Sequence, residues 1–481
     1  MYSSNQRPPS TTKDKMQAQG LPNYPLLLNK TQSTPSSQEI KSGYTYSSYG
    51  TSTLSTQPQY VSFHYLFEQT RPYEQYGQKL NPYQINQQQS SSGMTTSLST
   101  TQKTNSTISS MTQSQPEQQQ PSKYMSNVSK GICGLRNIGN TCFMNSVLQC
   151  LLNLPAFNEH FFNGDYLKDM NSKNSSVPNE YSKLVSTIRS TPNFQSVAPY
   201  GIKSAVENVM PCFRGYAQQD AQEFLVALLD GLSLGLNRVK SKSTYKEMND
   251  NLNGRTLQDL SKEWWEYSKS RENSLVLDYF QGQLLHTIKC SYCNHNSYAF
   301  DTFLDTSLAF TRAFKILEDM DLDRLLDKYV IEETIDDYYC SKCKKHQKVK
   351  RKFTIWRLPH ILMFHIKRFD YRRFSSDKLN HRVKFPLELD MTKFIQDSRK
   401  TFLILVDQST KNCQYSLCGI VNHSGTLYGG HYTADSLNPF NLKWYRYNDS
   451  DVREIDVKQQ RYDTDGSSSP YILFYARKSL Y

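Results

Sequence analysis

The chain has 481 residues and a formal charge of +12, from 56 Lys and Arg against 44 Asp and Glu. Its longest strongly apolar stretch, 224–229, falls far below the ~18 residues that a membrane-spanning helix needs, and the amino terminus lacks the apolar core of a secretory leader. Membrane insertion and secretion are therefore not expected, and the ten cysteines are expected to be thiols of a reducing intracellular setting, cytoplasmic or nuclear.

Residues 1–130 differ in composition from the rest. Positions 1–128 hold 20 Gln, 9 Lys and Arg, 5 Asp and Glu, and neither Cys nor Trp. Such a Gln/Ser/Thr-rich low-complexity tract cannot bury enough apolar surface to offset its ordering entropy, and disorder is predicted for it. An apolar run at 60–67 inside the tract is a candidate linear motif for docking a partner.

Order is expected to begin near residue 131. The segment Gly134-Leu135-Arg136-Asn137-Ile138-Gly139-Asn140-Thr141-Cys142-Phe143-Met144-Asn145-Ser146 starts as a Gly/Asn-rich loop and passes into a helical period. Phe143, Val147 and Leu151 make one i, i+4 row, Met144, Leu148 and Leu152 the next, and Pro155 follows as a stop. Cys142 is thus predicted in the first turn of a buried helix, with Asn140 or Thr141 as its N-cap. Unpaired N–H groups at that end favour a thiolate and can bind a developing oxyanion. An inert buried thiol is the ordinary fate of a cysteine; here the polar loop, with Asn137 able to aim its amide at a carbonyl oxygen, favours a nucleophile.

Continued through Val147-Leu148-Gln149-Cys150-Leu151, this segment resembles the cysteine box of the ubiquitin-specific proteases, the papain-like cysteine hydrolases of peptidase family C19. The resemblance runs from about Gly131 to Lys478. It implies an α+β papain-like fold with thumb, palm and zinc-bearing fingers, forming a catalytic domain at 131–479 with its fingers around 280–355. It further implies a thiol-dependent deubiquitinase that cuts the (iso)peptide bond after the carboxyl-terminal glycine of ubiquitin, with ubiquitin and ubiquitinated proteins as partners.

Gln218-Gln219-Asp220-Ala221-Gln222-Glu223 opens a second amphipathic helix whose apolar face is Phe224, Leu225, Leu228, Leu229 and Leu232. Acids at a helix start commonly complement its dipole. The resemblance adds for Asp220 and Glu223 a grip on the basic tail of ubiquitin, a charge-assisted pairing.

Cys290-x₂-Cys293 and Cys340-x₂-Cys343 are two turns that can offer four thiolates to one tetrahedral structural zinc, leaving no open position for catalysis. The 46 residues between the pairs exceed the usual zinc-ribbon interval, so each pair is expected to end its own strand hairpin. An acidic stretch at 318–337 and a basic one at 342–352 read as solvated faces. Residues 361–369 read as a buried strand leading into a loop, and the resemblance makes Phe369 a wall of the tail channel.

His431 follows Gly429-Gly430 and lies between strand-like runs at 415–421 and 444–447. Glycines there let a substrate backbone approach closely. By resemblance His431 is the general base, and His423, Tyr428, Gly429 and Gly430 neighbour the substrate tail. A catalytic imidazole needs an orienting group, and Asn448 and Asp449 are adjacent candidates of which strand alternation lets one face His431. The resemblance implies Asn448, with Asp449 as a backup or polarising group. Two other readings are a ubiquitin-binding pseudoenzyme and a nucleic-acid-binding zinc protein, the latter prompted by a pI of about 9.0. The excess charge is diluted along the chain and no Arg cluster with stacking aromatics occurs, so no nucleic-acid partner is expected.

Overall fold

The computed structural model describes residues 130–310, 320–372, 375–395, 413–426 and 429–480. The readings of the tract before residue 130, including the run at 60–67, and of Tyr428 lie outside the described residues.

Helices come first: α1 (Cys142–Leu152), α2 (Pro155–Phe162), α3 (Ser176–Ser190), α4 (Tyr200–Val209) and α5 (Ala221–Gly235). Phe143, Met144, Val147, Leu148 and Leu151 of α1 are all buried, as the period requires. Pro155 does more than stop that helix, since it occupies the first position of α2, where a missing N–H is no loss. Helix α5 starts at Asp220, whose Oδ1 accepts from the N–H groups of Gln222 (2.7 Å) and Glu223 (3.3 Å). Its Phe224 meets Phe143 of α1 edge to face at 5.6 Å, joining the two helices in one core.

Strands follow: β1 (Gly282–Cys290), β2 (Asn296–Phe303), β3 (Thr306–Ala309), β4 (Glu333–Cys340), β5 (Lys345–Arg357), β6 (Ile361–Lys367), β7 (Gln414–Gly425), β8 (Gly430–Leu437), β9 (Trp444–Asn448), β10 (Asp451–Ile455) and β11 (Pro470–Arg477). The larger sheet has the order β10-β9-β8-β7-β11-β6-β3, antiparallel except between β3 and β6. Both of its faces are covered. Along β11, Ile472, Phe474 and Ala476 enter the core beneath the helices, while Leu473 and Tyr475 enter a second core on the far face. Helix α1 lies across β7 and β8, which sets the start of that helix beside the start of β8.

The smaller sheet, ordered β2-β1-β5-β4, is two hairpins side by side, and each hairpin turn carries one cysteine pair, as expected. The acidic stretch is a solvated face only at its end, since Met320, Leu322, Leu325 and Leu326 are buried in the second core and 318–319 lie outside the described residues. Residues 332–337 are paired with the basic stretch across the β4–β5 hairpin: Glu332 with Lys350 (2.9 Å), Glu333 with Arg351 (2.5 Å), Asp336 with Lys348 (3.0 Å) and Asp337 with His346 (2.6 Å). Pairs this exposed are worth about 0.2–1 kcal/mol each, so they align the hairpin more than they stabilise it. Among the described residues no helix is long and apolar enough to cross a membrane.

Candidate active site

The loop before α1 is shaped by its own polar groups. Asn137 Oδ1 accepts from Gly139 N (3.1 Å) and Thr141 N (3.1 Å), and the backbone turns through positive φ at Gly139 (+120°) and Asn140 (+52°). A β-carbon on Gly139 would meet the Tyr216 ring at 2.2 Å, and Asn140 Nδ2 donates to Tyr216 O at 2.8 Å. Thr141 is the N-cap by position only: its hydroxyl accepts from Ile138 N (3.0 Å) instead of from the helix.

Cys142 is the first residue of α1, 4% exposed, with its thiol against the backbone of Tyr432, the residue after His431. Here the thiolate expected at a helix start does not prevail. Burial pushes the thiol above its ordinary 9.0, and the Asp449 carboxylate adds to that, outweighing the backbone groups of Tyr432, Phe143 and Cys142 that lower it. The free protein is accordingly expected to hold a neutral thiol at pH 7–8, with thiolate appearing only as pH rises beyond 9.0. Iodoacetamide labelling of Cys142, followed by peptide mass spectrometry, should climb through a midpoint above 9.0; a plateau reached below pH 7 would refute this.

His431 opens β8 and Asn448 ends β9, and the ladder between them runs Ala434 opposite Tyr447 and Asp435 opposite Arg446. Asn448 lies one rung beyond, diagonal to His431, and its Oδ1 is 2.5 Å from His431 Nε2. An amide oxygen only accepts, so Nε2 carries the proton and the Nδ1 lone pair is left for another partner. Asp449 turns away, but not by strand alternation as expected: β9 has ended at Asn448, and Asp449 is a turn residue at φ +50°. Its carboxylate takes Asn137 Nδ2 (3.0 Å) and Asn145 Nδ2 (2.7 Å), tying the end of β9 to the loop and helix that carry Cys142. One of the two Asn137 amide protons is thereby used, and one is left.

Asn145 was not singled out from the sequence. It is 2% exposed on the packed side of α1, and also donates to Leu135 O (3.2 Å) and Arg136 O (3.3 Å). The signal was a polar residue within an apolar helical face, since buried amides are kept where they are bonded.

The two glycines before His431 differ. Among the described residues nothing lies within 4 Å of where a Gly429 β-carbon would be, whereas one on Gly430 would meet His423 Nε2 at 2.2 Å. Gly430 is thus required by the imidazole beneath it, a reason other than substrate approach. His423 is 3% exposed, held against Phe369 (5.2 Å) and Tyr432 (4.6 Å), and burial drives its pKa down to about 4, keeping it neutral. Tyr471 packs on Phe369 (5.4 Å) and donates its hydroxyl to Asp220. Asp220 is therefore engaged by its own helix and by Tyr471, and Glu223 is the exposed carboxylate of that pair. Across the same cleft, Gln218 bonds Gly430 twice, Nε2 to O (3.3 Å) and Oε1 from N (3.2 Å).

All ten cysteines are unbridged. Cys290, Cys293, Cys340 and Cys343 bring their sulfurs within 4.8 Å of one another, apart from the cleft, with Cys290–Cys343 at 3.9 Å and Cys293–Cys340 at 3.7 Å. A tetrahedron with metal–sulfur bonds of ~2.3 Å has edges of ~3.8 Å, so the donor set fits one tetrahedral zinc and is far too open for disulfides.

Residues 133–475 match the family profile described as ubiquitin carboxyl-terminal hydrolase. Ubiquitin carboxyl-terminal hydrolase 2 of Bos taurus is 37% identical over 352 residues, covering 72% of this chain and 55% of that protein. The Gallus gallus protein of the same name is 37% identical over 361 residues, covering 74% of this chain and 96% of its own. The chain spans about half the length of the mammalian relatives it matches. In fold it is similar to a chain of the SAGA Ubp8/Sgf11/Sus1/Sgf73 DUB module bound to ubiquitin aldehyde, with a TM-score of 0.55, 24% identity, and coverage of 73% of this chain and 71% of that one.

Proposed function

The chain belongs to the ubiquitin carboxyl-terminal hydrolase family, and from that premise we propose that residues 131–479 form a thiol-dependent deubiquitinase. The observation that carries this reading is the His431–Asn448 contact at 2.5 Å beside the residue whose backbone meets the Cys142 thiol. Asn448 holds the ring with its Nε2 protonated, so Nδ1 is the base that takes the thiol proton. The sulfur attacks the carbonyl carbon of the terminal glycine of ubiquitin, and the oxyanion is met by the remaining Asn137 amide proton and the Cys142 backbone N–H. His431 then returns the proton to the leaving amine, and a water activated by the same nitrogen resolves the thioester.

Ubiquitin is the proposed partner. Its basic tail would run past Gly429, Gly430, Phe369 and Tyr428, with exposed Glu223 supplying the opposing charge and Asp220 keeping the α5 start in place. The smaller sheet would serve as fingers, with one structural zinc on Cys290, Cys293, Cys340 and Cys343 and none in catalysis. A thiol nucleophile and thiolate metal ligands both suit a reducing intracellular setting.

Ubiquitin carrying a carboxyl-terminal electrophile tests the reading. One covalent adduct per chain, mapped to Cys142, is expected. Saturable ubiquitin binding without any adduct would leave a pseudoenzyme instead.

A further inference from the structure

Asp435 is completely buried in β8, and its two carboxylate oxygens take four donors: Arg446 Nε (2.6 Å), Arg446 Nη2 (2.7 Å), the Tyr462 hydroxyl (2.9 Å) and Asn422 Nδ2 (3.1 Å). None of these groups has a part in the chemistry above. A charge taken wholly out of water is tolerated only where it is paired and hydrogen-bonded throughout, so this carboxylate accepts few alternative arrangements of its neighbours.

Strand geometry links the pair to the imidazole. Asp435 and Arg446 stand directly opposite in the antiparallel β8–β9 ladder. His431 precedes Asp435 by four residues and Asn448 follows Arg446 by two, so alternation puts all four on one face. Sliding β9 by one residue would turn Asn448 to the other face. Sliding it by two would keep the face but would part Arg446 from Asp435, and would set Asn448 opposite His431 or Asp435 in place of its present diagonal contact. The turn that joins the strands is secured at its own end by Asn438 N donating to Lys443 O (2.9 Å), while the ion pair acts partway along, nearer the imidazole.

We propose that Asp435 and Arg446 are positioning residues of the catalytic centre, a buried ion pair that sets the β8–β9 register and thereby holds Asn448 Oδ1 against His431 Nε2. The catalytic part of this statement rests on the hydrolase reading of His431.

The test uses the full chain. Asp435→Leu combined with Arg446→Met replaces the pair by apolar side chains without leaving a lone buried charge. Asp435→Asn combined with Arg446→Gln, which removes both charges and keeps polar side chains of similar shape, is the milder companion. Thermal melting reports folding, a ubiquitin with a fluorogenic carboxyl-terminal amide reports kcat and KM, and ¹⁵N NMR of the His431 ring reports its tautomer. In the double variant kcat should fall on the order of 10- to 100-fold with KM held within about twofold, because a misplaced orienter costs rate more than binding. The His431 signal should change from one Nε2-protonated form to a mixture, and the Asp435→Asn/Arg446→Gln variant should show both effects at smaller size. A cooperatively folded variant of either kind with wild-type kcat and wild-type tautomer overturns the proposal. Should the wild-type chain itself hydrolyse nothing, the functional reading fails separately, and the tautomer still decides whether the pair positions the ring.

Discussion

Exchange of Cys142 for alanine is expected to lower hydrolysis of ubiquitin conjugates by ~10⁴- to 10⁶-fold while the affinity for ubiquitin stays within a few-fold of wild type. The size follows from the mechanism. Without the sulfur there is no acyl-enzyme, and what remains is oxyanion stabilisation and positioning by Asn137 and the backbone. At about 1.4 kcal/mol per tenfold, the loss corresponds to roughly 5–8 kcal/mol of barrier. Binding should persist, because the residues proposed to meet the ubiquitin tail, Glu223 and Phe369 among them, lie on α5 and after β6 and not at the sulfur. Single-turnover cleavage of a ubiquitin amide, run beside calorimetric titration with ubiquitin, measures the two quantities independently. Wild-type turnover in the alanine variant would remove Cys142 from the mechanism, and lost binding with it would mean that the substitution had damaged the fold.

Loss of the metal is expected to act on the smaller sheet, which carries none of the residues assigned to the chemistry. The purified protein should contain one zinc per chain, and Cys340→Ser or a strong chelator should remove it and melt the tips of the β1–β2 and β4–β5 hairpins. Beyond their backbone ladders, the described residues offer the tips little packing. The apolar cluster at the tips has Cys290, Cys340 and Val349 as its buried members, backed by partly buried Ile288, Ile335 and Tyr338. The four cross-hairpin ion pairs are exposed and salt-screened. Against those small terms, a structural zinc supplies on the order of 10–16 kcal/mol of apparent binding energy at pH 7. Hydrogen exchange should show protection lost first at the tips, 288–297 and 335–349, while a small thiol-directed electrophile still labels Cys142 at its former rate. A zinc content well below one per chain with both hairpins fully protected would exclude the structural metal.

Much of this was readable along the chain because it depends on neighbours in sequence. The period of Phe143, Val147 and Leu151 places α1 and so places Cys142 at a helix start. Two C-x₂-C turns separated by too many residues for one ribbon foretell two hairpins, and two hairpins are present. Adjacent polar residues at 448 and 449 do face different partners, but because the strand ends at Asn448 and Asp449 begins a turn, which alternation did not foretell. Reading the acidic and basic stretches as solvated faces holds at 332–337 and 342–348 and fails at 320–326, where Leu322, Leu325 and Leu326 are buried. It is also silent about pairing, because the register of β4 on β5 is not written in either stretch alone.

Groups distant in sequence were not readable in this way. Asn145 and Asp449 are 304 residues apart, Gln218 and Gly430 are 212 apart, and Tyr471 and Asp220 are 251 apart. Such contacts arise only when α1 and α5 settle on the larger sheet. The state of the Cys142 thiol belongs with them. A helix start argues for thiolate, but burial beneath β8 is a property of the closed core, and burial is the larger effect. Gly430 likewise looked like room for a substrate until His423 was seen to fill it.

The amino-acid sequence by itself therefore determined which atoms could do chemistry: a thiol at a helix start, an imidazole after two glycines, four thiols in two turns. Local periodicity and side-chain type suffice for that. Tertiary structure alone decided which of them meet, which proton sits where, and which carboxylates are already engaged, because those depend on strand register and burial. Burial is set by contacts hundreds of residues apart, and register by cross-strand pairs that neither strand specifies alone.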